Sequence, residues 1–214
     1  MIDPISWGYS WPYILTAFIG GYSIGSVPFG LLFTKMSGLG DIREIGSGNI
    51  GATNVLRTGK KGIAAATLSA DIIKGVFAAL IGTQFGPDIA VVAALGAFLG
   101  HLFPIWLKFQ GGKGVATAIG IIFALSWQTG FIAIGIWVLA AALFRYSSLA
   151  ALFGAVAAPI AAWWLATPQL VEFFAVIAIL IWIRHHANIK RLIKGDETKI
   201  GSKSDKPLSE DSAP

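Results

Sequence analysis

Residues 46–57 (GSGNIGATNVLR), 111–114 (GGKG) and 184–191 (RHHANIKR) are the places in this chain where residue types and spacing could do chemistry. Each sets Arg or Lys beside glycines, hydroxyls or amides, and each flanks an apolar stretch. Glycine-rich backbone lets bare N–H groups close around oxygens while a nearby cation supplies charge, so the combination suits an anion. In the first run Ser47, Asn49, Thr53 and Asn54 can donate hydrogen bonds, and Arg57 can grip a phosphate through two parallel bonds. In the second, Gly111, Gly112 and Gly114 surround Lys113 directly before an apolar stretch, which sets the positive N-terminus of a helix beside a cation. In the third, His185 and Asn188 fall on one face of a continuing helix, as do Asn188 and Arg191. Three such runs on one side of a membrane imply a site for a phosphate-bearing molecule at the lipid boundary.

Other chemistries fit less well. GSGNIG is a literal G-x-G-x-x-G with Asp71 twenty residues beyond its last glycine, yet it follows the polar segment DIRE rather than a buried strand, and Asp71 falls within an apolar stretch. A dinucleotide fold is therefore not expected. GGKG lacks the spacing of an ATP-binding loop. His185 and His186 are adjacent and point different ways on a helix, and His101 is the only other histidine, so no metal is expected. With no cysteine, thiolate catalysis and disulfides are excluded. No cofactor is called for.

The elements that must position these runs are membrane helices. Among 214 residues only 13% are charged, against about 25% in soluble proteins, and the mean hydropathy is +0.72. The apolar residues fall in blocks, and about 20 helical residues cross a hydrocarbon core of about 30 Å. Spans are expected at 11–34, 62–81, 89–107, 147–166 and 170–183, with 115–141 divided into two short helices around 127–130. That makes an all-α integral membrane protein of about seven transmembrane helices. Apart from Lys74, every Lys and Arg falls in a segment assigned to one face, so the N-terminus lies outside and the C-terminus in the cytoplasm. The same placement argues against a nucleic-acid partner despite a net charge of +5. Residues 1–200 form one polytopic domain, and 201–214 read as a polar, disordered cytoplasmic tail. Asp71 and Lys74, three apart within a span, neutralise one another facing the bundle interior and are either structural or functional.

The three runs, with GHLFP before the second and LIKGDE after the third, resemble the motifs of the bacterial PlsY family. These are membrane glycerol-3-phosphate acyltransferases that use acyl-phosphate. The likeness extends in order from Gly25 to about Gly201. It implies that Ser47 and Arg57 are required for activity and that the glycines around Lys113 bind the substrate's phosphate. It further implies that His185 and Asn188 act in the site and that Glu197 supports its structure. Ala187 stands where some members carry an acidic residue, and no chemistry is assigned to it. The resemblance also implies a seven-helix, N-out architecture in the bacterial inner membrane, with the site at the cytoplasmic face.

The implied reaction moves a fatty acyl group from acyl-phosphate to the 1-hydroxyl of glycerol 3-phosphate, giving lysophosphatidic acid and phosphate. Its partners are those two substrates and membrane lipid. An acyl-phosphate is a mixed anhydride with a good leaving group, so positioning and charge stabilisation are the main demands. The hydroxyl proton can go to His185, with a pKa expected near neutral, or to a substrate phosphate oxygen. Two rival functions are an organic-phosphate transporter, which predicts cations near the midplane and repeat symmetry, and an intramembrane serine protease. The latter predicts Ser47 buried at membrane depth beside His185.

Overall fold

The computed structural model describes residues 7–201, and every regular element among them is helical. The helices are α1 (Trp7–Gly25), α2 (Phe29–Met36), α3 (Ala52–Leu56), α4 (Lys61–Thr83), α5 (Pro87–Leu102), α6 (Val115–Leu125), α7 (Trp127–Phe144), α8 (Ser147–Leu165), α9 (Pro168–Arg184) and α10 (His186–Lys194). Residues 202–214, which hold most of the expected tail, lie outside the described residues.

Five segments are long and apolar enough to cross a membrane: Ser10–Met36, Lys61–Thr83, Pro87–Leu107, Trp127–Phe144 and Ser147–Leu165. α9 passes the same test only together with α10, from which it is bent by 59° at His185. The expected division of 115–141 is present, with the break at Ser126 between α6 and α7. α6 is only 11 residues, or about 16 Å of helix, short of a hydrocarbon core. The first span is not the continuous helix expected. Pro28 cannot continue a helix and disfavours helical backbone at Val27, so α1 stops at Gly25 and α2 restarts at Phe29.

Small residues let the helices approach closely. Gly21 and Gly25 on α1 lie so near α5 that a β-carbon would stand 2.0 Å from the Ala93 carbonyl and 1.9 Å from that of Ala97. Gly96 and Gly100 on α5 are matched in the same way to the Phe18 and Tyr22 carbonyls. Two G-x-x-x-G faces thus meet, the arrangement that drives association where lipid removes the hydrophobic incentive. Gly75 and Gly120 bring α4 and α6 together against the Thr117 and Ile72 carbonyls. Phe98, Ile121, Phe174 and Ile177 fill the core between α5, α6 and α9. The outer surface is apolar as well: Trp163 and Trp164 are more than 70% exposed. A bundle that is apolar on both sides is built for lipid.

A smaller cluster of Leu31, Ile42, Ile50, Val55 and Ala64 seats the first motif on α2 and α4. It fixes the 46–57 run at the same end of the bundle as the 111–114 loop, the start of α8, and the segment 185–201.

Candidate active site

Each motif has its own scaffold. In the first, Asn54 is fully buried and its amide staples the loop. Its Nδ2 donates to the carbonyls of Ile42 and Ile45 at 3.0 and 2.9 Å. Its Oδ1 accepts from the amide of Ser47 at 3.0 Å and from the Ser47 hydroxyl at 3.3 Å. Asn54 therefore shapes the loop and holds Ser47, rather than standing free for a ligand as its residue type suggested. Arg57 follows α3, half-buried; its amide donates to the Asn54 carbonyl at 3.1 Å, while its guanidinium makes no hydrogen bond or ion pair among the described residues. Burial pushes its guanidinium below the usual range, with Glu197 opposing and Arg191 reinforcing the shift. Thr53 touches the Ser147 hydroxyl at 3.3 Å.

The second motif folds back onto the end of α5. The amides of Gly111 and Gly112 donate to the carbonyls of Leu102 and His101 at 3.1 and 3.0 Å. Their own carbonyls accept from the Arg184 guanidinium at 3.0 to 3.2 Å. These two glycines build the loop, and their N–H groups are engaged, contrary to the expectation that they cradle an anion. The amides of Lys113 and Gly114 have no backbone partner among the described residues. Gly114 caps α6 with φ +83, and a β-carbon there would meet the Phe98 ring at 2.4 Å. Lys113 and Gly114, which carry these donors and the ammonium, line one cavity at the start of α6.

The third motif sits where α9 bends into α10. His185 is buried, and its Nδ1–H donates to the Ile181 carbonyl at 2.8 Å. That leaves Nε2 as the unprotonated acceptor. Burial, opposed by the Ile181 bond and reinforced by Lys113, pushes its pKa down to about 4. The near-neutral value expected from the sequence is corrected: the ring sits in a dry place among cations. Asn188 accepts from Lys113 Nζ at 2.5 Å through Oδ1 and donates from Nδ2 to Glu197 at 2.6 Å. Glu197 also accepts from the Ser148 hydroxyl at 2.7 Å and from Arg191 Nε at 2.6 Å. Burial alone would raise this carboxyl, but the three hydrogen bonds hold it below its usual range. Lys113 is lowered to about 8, chiefly by burial.

A single cavity of about 500 Å³ collects Ser47, Asn49, Thr53, Asn54 and Arg57 with Lys113 and Gly114, and with His185, Asn188 and Glu197. Gly111 and Gly112 are not part of its wall. Part of its wall is apolar, with Leu68 and Ile72 from α4, Ile119 from α6, and Ile134 and Trp137 from α7. Four residues beyond the expected set complete the site: Ser148 and Arg191 on the Glu197 carboxylate, Arg184 on the loop carbonyls, and His101 in the wall. Arg184 and Arg191 lie within the third motif, a signal that spacing alone left without a role. Ser148 carried no signal, since it depends on Glu197, 49 positions away.

Fold and site together define an integral membrane protein whose loops gather cations around one partly apolar cavity. A family model described as glycerol-3-phosphate acyltransferase matches residues 15–195. The glycerol-3-phosphate acyltransferase of Mesorhizobium japonicum is 58% identical over 190 residues, covering 89% of this chain and 97% of that protein. The Nitrobacter winogradskyi protein of the same name is 52% identical over 194 residues, covering 90% and 99%. The crystal structure of PlsY, an integral membrane glycerol 3-phosphate acyltransferase, in its glycerol 3-phosphate form has a TM-score of 0.83 at 34% identity, across 88% of this chain and 96% of that one. Its lysophosphatidic acid form gives 0.81 at 33% identity, across 88% and 95%. The chain belongs to the glycerol-3-phosphate acyltransferase family, the PlsY family of integral membrane acyltransferases. Its place is in phospholipid biosynthesis. The protease geometry is not formed: Ser47 is exposed on its loop, with Asn54 as its hydroxyl partner.

Proposed function

We propose that this enzyme takes its acyl group from an acyl-phosphate and places it on the 1-hydroxyl of glycerol 3-phosphate, releasing lysophosphatidic acid and phosphate. The observation that carries this reading is a single cavity that is cationic at Arg57 and Lys113 and apolar along α4, α6 and α7. A headgroup phosphate and a long acyl chain can enter it together. The related crystal structures with glycerol 3-phosphate and lysophosphatidic acid support the acceptor and the product.

In this reading Lys113, with its own amide and that of Gly114, holds the glycerol 3-phosphate phosphate, and Arg57 takes the phosphate of the donor. Ser47, Asn49 and Thr53 line the approach, while His185 and Asn188 act beside the reacting atoms. The acceptor oxygen attacks the acyl carbonyl carbon, the bond from that carbon to the phosphate oxygen breaks, and phosphate leaves. Positioned cations stabilise the developing negative charge. A histidine whose pKa is about 4 is a weak base near neutrality. The hydroxyl proton therefore passes to a substrate phosphate oxygen, and His185 Nε2 accepts a hydrogen bond from substrate.

Residues 1–200 act as one domain in the bacterial inner membrane. The cavity draws on the 46–57 run, the start of α6, the start of α8 and the 185–201 segment, so all of these share one side. α6, a short helix, and α7 together leave that side and return to it; counting α6 as an abbreviated crossing supports seven crossings with the N-terminus outside. Positive residues concentrate in the same segments, which supports a cytoplasmic site.

Purified enzyme in detergent or liposomes, given palmitoyl-phosphate and glycerol 3-phosphate, is expected to release phosphate in proportion to lysophosphatidic acid formed. Phosphate release that is independent of glycerol 3-phosphate, or transfer only from a thioester donor, defeats the proposal.

A further inference from the structure

Behind the 111–114 loop lie three ionisable side chains that the reaction described above does not use. Asp71 and Lys74, one turn apart on α4, and His101 on α5 are each 4% exposed or less. Lys74 Nζ lies 2.8 Å from Asp71 Oδ1 and donates to the Val27 carbonyl at 3.0 Å, at the break between α1 and α2. Asp71 Oδ1 faces His101 Nδ1 at 3.6 Å, just beyond hydrogen-bond length. The opposite corner of the ring meets the glycine loop. A β-carbon on Gly112 would stand 2.2 Å from His101 Nε2, and the Gly112 amide donates to the His101 carbonyl at 3.0 Å. Asp71 and His101 also form part of the cavity wall.

A buried ion pair is costly to place in a membrane helix and is weak evidence for stability alone. Here it has a directional consequence. With its Nδ1 edge toward that carboxylate at 3.6 Å, the ring presents its Nε2 corner to Gly112. The loop can pass over that corner only because residue 112 has no side chain. Gly112 is thus matched to the histidine behind it rather than to a ligand in front.

We propose that His101, oriented by the Asp71–Lys74 pair, is a positioning residue that sets the 111–114 loop so that Lys113 and the amides at the start of α6 meet the substrate's phosphate. This rests on the proposed phosphate-binding role of that loop. It assigns His101 an effect on glycerol 3-phosphate binding and none on proton transfer.

The test is a set of steady-state measurements with palmitoyl-phosphate, on the wild type, His101→Ala, Gly112→Ala, the double variant His101→Ala/Gly112→Ala, and the neutral pair Asp71→Asn/Lys74→Met. His101→Ala is expected to raise KM for glycerol 3-phosphate about tenfold, leaving kcat and the donor KM within about threefold. The neutral pair, which leaves no lone buried charge, is expected to raise the same KM about fivefold. Gly112→Ala drives its new carbon into the ring and is expected to lose about thirtyfold or more in kcat/KM. Removing the ring in the double variant is expected to recover at least about fivefold of that. Thermal unfolding of each variant identifies any that fail to fold, in which case the neutral pair carries the test. The inference is overturned if KM for glycerol 3-phosphate stays within about twofold in His101→Ala or in the neutral pair, or if the double variant is no better than Gly112→Ala. A wild type without glycerol 3-phosphate-dependent turnover overturns the proposed function and this inference together. An active wild type with indifferent variants overturns this inference alone.

Discussion

Raising the pH should weaken capture of glycerol 3-phosphate before it alters the transfer step. Lys113 is lowered to about 8, chiefly by burial, with Glu197 opposing the shift and Arg191, Arg57 and Arg184 adding to it. A lysine whose pKa is lowered in the folded protein is charged below that value and neutral above it. The cation facing the phosphate is therefore present in acid and lost as the pH rises through about 8. If only the ammonium form binds tightly, the apparent KM grows as one plus the ratio of neutral to charged lysine. That is about 1.1 times its limiting value near about pH 7 and about 11 times near about pH 9. The ligand is not the source of the change, because a phosphate monoester with a second pKa of about 6 is already a dianion across this range. Bound dianion raises the lysine's pKa, so kcat at saturation is expected to stay level while KM climbs. The assay is initial phosphate release with glycerol 3-phosphate titrated at saturating palmitoyl-phosphate, from about pH 6.5 to about pH 9.5. Lys113→Arg is the control: a guanidinium does not titrate there, so KM is expected to be raised but flat. A wild-type KM constant within about twofold up to about pH 9, or a Lys113→Arg profile as steep as the wild type, refutes the reasoning.

Three further outcomes are expected. Arg57→Ala loses about a hundredfold or more in turnover while the protein still inserts, and Arg57→Lys rescues it poorly because a point charge cannot form two parallel bonds; near-normal rates in either variant remove Arg57 from the site. In the kcat/KM profile, a histidine base places the acidic limb at about 4, whereas a phosphate base places it at about 6; a limb near 4 that vanishes in His185→Ala contradicts the substrate-assisted route. Glu197→Ala leaves the buried Asn188 amide and Ser148 hydroxyl without their acceptor, at about 1–3 kcal/mol each; thermal unfolding is expected to fall with activity, and an unchanged midpoint assigns Glu197 no structural role.

What the sequence by itself determined was the type of environment and the identity of the groups. Blocks of apolar residues, the confinement of cations to a few segments and the three glycine-bearing runs define a membrane bundle with an anion site, because hydropathy and charge placement are properties of the chain before it folds. The break between α6 and α7 was legible from length, since 115–141 is too long for one crossing, but its place was not: residues 127–130 open α7 and the break falls at Ser126. Only the tertiary structure decided which of the named groups turn toward the cavity. Gly111, Gly112 and Asn54 have the right types but turn their hydrogen-bonding groups inward, to α5, Arg184 and their own loop. The basicity of His185 was likewise invisible, since its fall to about 4 comes chiefly from burial, with Lys113 adding to it, and no sequence spacing brings Lys113 beside it. The link from Lys113 through Asn188 to Glu197, Ser148 and Arg191 joins three separate stretches of chain. Local sequence specifies the donors and acceptors, but their pairing depends on helix packing, and that is set by close glycine contacts far from the site.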